Sequence, residues 1–463
     1  MELDAVMLAR IQFAWTVAFH IIFPSFTIGL SAWIATLLVI WRRTGEDHFR
    51  DLAKFWTKIF AVSFGMGVVS GIVLSYEFGT NWSHFSHVVG NVVGPLIGYE
   101  VLTAFFLEAT FLGILLFGWN RVPPALHVTA AILVAVGTLF SAFWILSANS
   151  WMQYPTGHAI ENGIAVPENW LEIVFSPTFH FRFLHMVTAA YITTAFVVIA
   201  TGARYLLAGE HVAHARTMVR MGLGLAIVLV PLQIILGDES GRDVWRYQPA
   251  KLAAIEAKWE AGDHGPVPLV LFAIPSDEEE RNLYEVAIPG LASIIVTRSV
   301  DGSFPGLQDF AVEDRPPTLL PFFGFRLMVG IGLIMLVLAF WGGFLLWRGR
   351  LEGARFYLRL VSWSWPLGFI AVIAGWIVAE VGRQPWVATG ILRTKDAASP
   401  VSAAQVATSL TLFVIVYVII FTAGLIYMNR LIRKGPAPAE VTLEGLPSRP
   451  LTGATGAGPA SGG

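Results

Sequence analysis

A carboxylate, two imidazoles and a thioether stand inside apolar runs of this chain, where a polar group is costly unless it is partnered. Glu380 ends the run Val361 to Ala379 within GWIVAEVGRQPW, the stretch Gly375 to Trp386, and is followed by Gly382, Arg383 and the helix-stopping Pro385. A carboxylate at hydrocarbon depth is a functional candidate by default. Arg383, one turn on, is either its neutralising neighbour or a holder of an acidic group on a cofactor. In the plain alternative both side chains reach interfacial water. His20 lies in AFHIIFPSF, His185 in FRFLHMVTAA and Met328 in FGFRLMVGIG. Singly, a buried His or Met is more often packing than a ligand. Glu100 and Glu108, in GYEVLTAFFLEATF, are eight residues apart. On a regular helix that is roughly 12 Å along the axis and ~80° around it, a spacing that suits a proton relay with waters between. Protonated acids bonded to neighbouring helices are the alternative.

These residues need elements that hold them, and composition says what kind. Of 463 residues 55% are hydrophobic and only 13% charged, so an all-α polytopic membrane protein is expected rather than two or three soluble domains. Mean hydropathy is +0.65. Runs near the 20 residues that a bilayer demands fall at 11–41, 53–77, 94–119, 126–150, 182–207, 217–236, 322–347, 359–381 and 405–432, nine transmembrane helices in all. The first is too long for the apolar region of a signal peptide and reads as a retained span. With the N-terminus outside, the inner short segments carry sixteen Lys and Arg and the outer ones four, so the chain is expected to start outside and end in the cytoplasm. In that orientation His20, His185, Met328 and Glu380 all lie within roughly 15 Å of the outer surface, at ~1.5 Å rise per residue. A shared depth is not expected of independent packing residues. The chain has no cysteine, which excludes disulfides, thiolate catalysis, iron–sulfur clusters and attached c-type haem. Four donors at one depth with no thiolate point toward haem iron, for which His and Met are common axial ligands.

Between the sixth and seventh spans lies one long outer loop, 238–321, with 15 acidic and 7 basic residues. Long connections of this kind are usually functional. Helix-forming character runs from Pro249 to Trp259, and 266–321, punctuated by Pro and Gly, has room for short strands. Lys251 and Glu256 are five residues apart on that helix, ~140° around it, so they are not expected to pair and either could face a ligand. His84 and His87 read as solvated residues of another outer loop. The tail 435–463, rich in Gly, Ala and Pro, reads as disordered and cytoplasmic. A net charge of −2 without basic clusters excludes a nucleic-acid partner. No internal repeat is visible, which weighs against a transporter of inverted repeats.

Several motifs, in order along nearly the whole chain up to the tail, resemble subunit I of the cytochrome bd-type quinol oxidases. They are Asn149-Ser-Trp-Met-Gln153 with Pro155 and Gly157, Gly237-Asp-Glu-Ser-Gly241, the run KLAAIEA from Lys251 to Ala257, and Glu380-Val-Gly-Arg-Gln-Pro-Trp386. The resemblance implies a nine-helix subunit of a terminal oxidase in a bacterial cytoplasmic membrane. Its cofactors would be a low-spin haem b, a high-spin haem b and a haem d or third haem b. His185 and Met328 would be the low-spin axial pair; His20 and Glu380 would each hold one high-spin haem, with Glu100 beside them. Arg326 and Arg383 fall where the family has arginines near the haems. The loop 238–321, with Lys251 and Glu256, would bind quinol, either ubiquinol or menaquinol, and O2 would be the second substrate. Expected partners are membrane lipid and a second large membrane subunit, with or without a small single-helix one. The loop lacks an insertion found late in longer members, which places the chain with the short-loop, cyanide-insensitive-oxidase-like group. Read from the residues alone, two rivals stay open: a haem-free ion-coupled transporter using Glu100, Glu108 and Glu380, and a haem-b quinone cytochrome feeding another acceptor.

Overall fold

A computed structural model describes residues 4–262 and 265–436. The tail expected from Gly435 lies, beyond Pro436, outside them. The chain is built from long apolar helices: α1 (Ala5–Ile22), α2 (Pro24–Thr44), α3 (Asp47–Thr80), α4 (Ser83–Glu100), α5 (Phe106–Phe117), α6 (Pro124–Gln153), the short α7 (Trp170–Val174), α8 (Phe179–Ala208) and α9 (Val212–Tyr247). After the loop elements α10 (Pro249–Glu256) and α11 (Leu291–Thr297) come α12 (Leu319–Trp347), α13 (Arg355–Ser362), α14 (Leu367–Val381) and α15 (Ala403–Lys434). Three two-stranded antiparallel hairpins decorate the ends: β1 (His158–Glu161) with β2 (Ile164–Pro167), β3 (Leu269–Ser276) with β4 (Arg281–Ile288), and β5 (Trp386–Ala388) with β6 (Leu392–Arg393).

Among the described residues, eight helical spans are long and apolar enough to cross a membrane, and the pair α13 and α14, bent by 41°, makes nine. Local chemistry explains the irregular ones. Pro24 cannot donate a backbone hydrogen bond, so the first span, Ala5–Thr44, divides into α1 and α2 at Phe23. Pro366 breaks the eighth in the same way, leaving α13 with Tyr357, Leu358 and Val361 buried and Arg355 and Arg359 exposed. The third span starts earlier than expected, at Ser83, so His84 and His87 belong to the first turn of α4 and not to a loop, although both remain exposed.

The long loop is also shorter than expected, because α9 continues through Asp238, Glu239 and Asp243 to Tyr247. Ion pairs carry this polar extension out of the apolar layer: Arg242 Nη1 bonds Glu239 Oε1 at 3.1 Å, and Arg298 of the loop pairs with Asp238. The expected loop helix is present but stops at Glu256, where Ala257 turns left-handed, and the expected strands are β3 and β4.

Side chains such as Leu333, Ile334 and Val337 on α12 and Leu412, Val416 and Ile419 on α15 point outward and are exposed, as lipid-facing residues should be. Inside, Leu30, Ile34, Leu37, Trp56 and Phe60 pack α2 on α3, while Ile199, Val219, Leu338 and Tyr357 join α8, α9, α12 and α13. A third cluster, around Val89, Val92, Trp151 and Ile173, closes the end where α4 meets α6 and the first hairpin.

Candidate functional site

The end of α14 is the most densely bonded polar region. Asn149 Nδ2 donates to Glu380 Oε1 at 3.0 Å and Gln153 Nε2 to the same oxygen at 3.3 Å, both from the last turns of α6. Arg383 donates to Glu380 Oε2, yet its Nε and Nη1 are buried with no protein partner among the described residues. Arg182 of α8 donates to Asn149 Oδ1 and, at 3.2 Å, to Ser150 Oγ. Lys251 Nζ of α10 donates to Gln153 Oε1 at 2.9 Å and to the Ala379 carbonyl at 2.8 Å. Gln153 therefore binds the loop lysine with its oxygen and the membrane carboxylate with its nitrogen.

Lys251 and Glu256 are 5% and 6% exposed, so the helix that carries them is packed into the protein. They turn to different partners, as their spacing requires. Burial first, and the charge of Arg182 second, hold the Lys251 amine well below 10.5, against the pull of Glu380. Nζ has a third, longer contact at 3.4 Å to Gln248 Oε1, so protein oxygens surround the amine. Glu256 Oε2 accepts from Arg326 Nη2 at 2.9 Å; burial raises its pKa and Arg326 opposes the rise. Arg326 also donates to the carbonyls of Val270 and Ile255 and stacks on Phe322 at 3.8 Å, so all three of its nitrogens pin the loop.

Each of the three neutral donor residues is faced by a glycine. A Cβ on Gly71 would stand 3.1 Å from His20 Cε1, one on Gly237 3.1 Å from His185 Cε1, and one on Gly375 2.9 Å from Met328 Sδ. His20 Nδ1 lies 3.1 Å from Ser70 Oγ, whose own hydrogen goes to the carbonyls of Met66 or Gly67. The serine must then accept from Nδ1–H, leaving Nε2 with a bare lone pair, the tautomer of an iron ligand. Gln233 lies 3.1 Å from His185 Nε2, and whichever way that amide turns, His185 Nδ1 is buried with no protein partner among the described residues. No three His, Asp or Glu side chains converge among the described residues, so a bare metal ion has no cage, whereas haem asks for only one or two axial donors. The unpaired Arg383 nitrogens, the His185 nitrogen and the His20 lone pair all fit haem with acidic substituents.

Shared helices set the relation between these groups. Gly375, packed on Met328, and Glu380 are five residues apart on α14, about 7.5 Å of rise; Arg182 and His185 are three apart on α8. His20 stands outside this network, in the α1–α3 pair.

Glu108 and Glu100 lie along α6 beneath Glu380. The helix they share is interrupted by a π segment, Val101–Phe105. Its extra residue turns the expected ~80° separation back by roughly 100°, bringing both carboxylates to nearly one face. Their contacts agree: Ser141 Oγ donates to Glu100 Oε1 at 2.7 Å, and the site where Gly137 would carry a Cβ is 2.7 Å from Glu108 Cγ, with Gly137 and Ser141 one turn apart. Glu108 is 6% exposed and its Oε1 has no protein partner among the described residues.

Reading the sequence alone missed Arg182, Asn149 and Gln153 as site residues, and Glu77, a fully buried carboxylate of α3. Arg182, in FRFLH, and Glu77, closing the second apolar run, carried the same signal as Glu380: a charge at membrane depth. Asn149 and Gln153 are uncharged and gave no such signal.

A helical membrane body with buried carboxylates against α6, and with imidazole and thioether donors on other helices, has the donor set that a membrane-bound redox cofactor would need. The family description "Cytochrome bd terminal oxidase subunit I" matches residues 8–436. Cytochrome bd-II ubiquinol oxidase subunit 1 of Escherichia coli (strain K12) is 34% identical, over 94% of this chain and 98% of its own. Cytochrome bd ubiquinol oxidase subunit 1 of Bacillus subtilis (strain 168) is 33% identical, over 94% of each. The bd oxidase structure from Geobacillus thermodenitrificans superposes with a TM-score of 0.86 at 31% identity, over 94% of this chain and 99% of that one. The chain belongs to the cytochrome bd terminal oxidase subunit I family. It is a multi-pass membrane subunit of a quinol:O2 oxidoreductase.

Proposed function

We propose that His185 and Met328 hold a low-spin haem b, and that His20 and Glu380 each hold one of two high-spin haems, one b and the other d or a third b. Arg383 would bind an acidic substituent of a haem through its two free nitrogens. Quinol would be oxidised at the outer face, where the loop around α10 meets α14, and a second large membrane subunit, with or without a small single-helix one, would complete the enzyme in a bacterial cytoplasmic membrane. The observation that carries this reading is Gln153, which joins Lys251 of the loop directly to Glu380 of the membrane.

When bound, the haems supply one-electron transfer and the reduction of O2 to water. The residues handle the protons. A quinol giving up two electrons must lose two protons, and the Lys251 amine, made less basic by burial, is placed to accept one when it is unprotonated. Glu256, held by Arg326, keeps the loop docked and is the second acid–base group. Glu108 and Glu100, on one face and against one turn of α6, pass protons outward from the cytoplasmic side. With quinol's protons released outside and oxygen's taken from inside, charge is separated without a pump. An absorption spectrum of the purified protein tests the reading: dithionite should develop both a six-coordinate b-type spectrum and high-spin features. A single b-type spectrum would reject the oxygen-reducing pair.

A further inference from the structure

The outer half of the α1–α3 seam contains a second polar ladder that the mechanism above does not use. Glu77 is 0% exposed, two turns beyond Ser70 on the same face of α3, and Ser70 is the partner of His20. Thr16, one turn from His20 on α1, lies with its Oγ1 2.5 Å from Glu77 Oε1 and 3.0 Å from the Gln12 carbonyl. A hydroxyl has one hydrogen and cannot donate to both. With Glu77 ionised, Thr16 donates to the carboxylate; with Glu77 protonated, the acid donates to Thr16 and the threonine hydrogen turns to the Gln12 carbonyl. Both states are bonded, so this pair accommodates a proton without a structural change.

The ladder ends in a cavity. Gln12, Asn81 and Ser409 line a space of about 490 Å³ with Gln405, Val73 and Phe413. Ser409 Oγ donates to Gln12 Oε1 at 2.9 Å. Asn81, 5% exposed and one turn beyond Glu77, has its Nδ2 without a protein partner among the described residues, as has Glu77 its Oε2. Asn81 Nδ2, buried on the cavity wall, and Glu77 Oε2, one turn away on α3, are what water would satisfy.

We propose that Glu77 is a proton-exchange site on the outer side, which takes up one proton through the Gln12–Asn81–Ser409 cavity when an electron arrives at the centre held by His20, and returns it when the electron leaves. The electron comes from quinol, and the carboxylate becomes a carboxylic acid. In the low-dielectric interior, uncompensated charge is expensive, which gives the uptake its driving force. The groups facing Glu77 are few: α1 presents Gln12 and Thr16, α15 presents Tyr417 and Ser409, and the α4 histidines His84 and His87 are exposed. Contacts of α3 with the π segment and with α9 lie in its cytoplasmic half, at Phe64–Phe105 and His48–Thr217. Among the described residues no charged side chain bears on Glu77.

The proposal rests on His20 being a haem ligand, and His20→Ala checks that separately through loss of one high-spin haem. Redox-induced infrared difference spectra of the wild-type holoenzyme should show a protonated-carboxyl band on reduction that Glu77→Gln abolishes, and the potential of the His20-held haem should lose its pH dependence in that variant. Thr16→Val, which keeps the carboxyl and removes its partner, should shift the band without abolishing it. A band and a pH dependence unchanged in Glu77→Gln would overturn the proposal while leaving the haem assignment standing.

Discussion

Glu380 and Glu108 are both carboxylates inside the apolar body of one chain, both lie against α6, and their surroundings are opposite. Glu380 receives hydrogen bonds from Asn149, Gln153 and Arg383, and those partners are themselves held by Arg182 and Lys251. Glu108 touches the bare backbone of Gly137, and one of its oxygens is bonded to nothing among the described residues. A group fixed from several helices can hold an iron in one geometry but is too constrained to carry protons. Freedom to turn, with a spare lone pair, is what a relay needs. On the proposed reading the same residue type would serve two ends because the neighbours differ.

The largest effect should come from breaking the fixed end. Glu380→Ala leaves Arg383, 7% exposed, as a buried charge without its partner, a loss of about 3–5 kcal/mol for the region. We expect loss of one high-spin haem and of oxygen reduction, read from haem content and oxygen uptake. Glu380→Ala protein retaining every haem would show that the dense network is only structural. Next is Met328→Leu, which keeps volume and removes sulfur. The six-coordinate reduced spectrum should disappear while the fold is retained, and an unchanged spectrum would remove Met328 from the ligand set.

Glu108→Ala tests the loose end and should act on rate alone. Because positioned acid–base groups contribute typically 10²–10⁴-fold, oxygen reduction should slow by about 10²-fold, with the haems present and still reducible. Haem loss in this variant would mean that Glu108 is held as tightly as Glu380 and that the contrast is false.

The contrast between these ends was only half visible in the amino-acid sequence. A charge in an apolar run announces itself, so Glu380, Glu100 and Glu108 could be picked out from hydropathy, and so could the nine spans. Partners at a distance could not. Asn149 and Gln153 become significant only when α6 ends beside α14. The π segment at Val101–Phe105 has no composition signal, yet it brings Glu100 and Glu108 to one face. Lys251 and Glu256 could be picked out as candidates on the loop helix, but not their partners; folding covers them with α6, α12 and α14, and each finds a partner there.

The smallest effect is expected where the fixed region meets the loop. Lys251 donates to Gln153, which donates to Glu380, so the loop and this carboxylate are separated by a single amide. If the amine serves quinol, Lys251→Met should raise the quinol KM and lower turnover by about 10-fold, less than the 10²–10⁴-fold typical of a positioned acid–base group because Glu256 remains. The sign with pH follows from its protonation: the free amine is the base, and its pKa lies well below 10.5, so wild-type quinol oxidation should rise with pH as the amine loses its proton. Lys251→Met should flatten that limb. Glu380 keeps Asn149 and Arg383 in this variant, so the dithionite-reduced haem spectrum should be unchanged. A spectrum that shifted together with the quinol KM would mean that loop and ligand form one rigid unit through Gln153. Gln153→Leu should then reproduce the shift, and the boundary of the fixed region would move outward to include the loop.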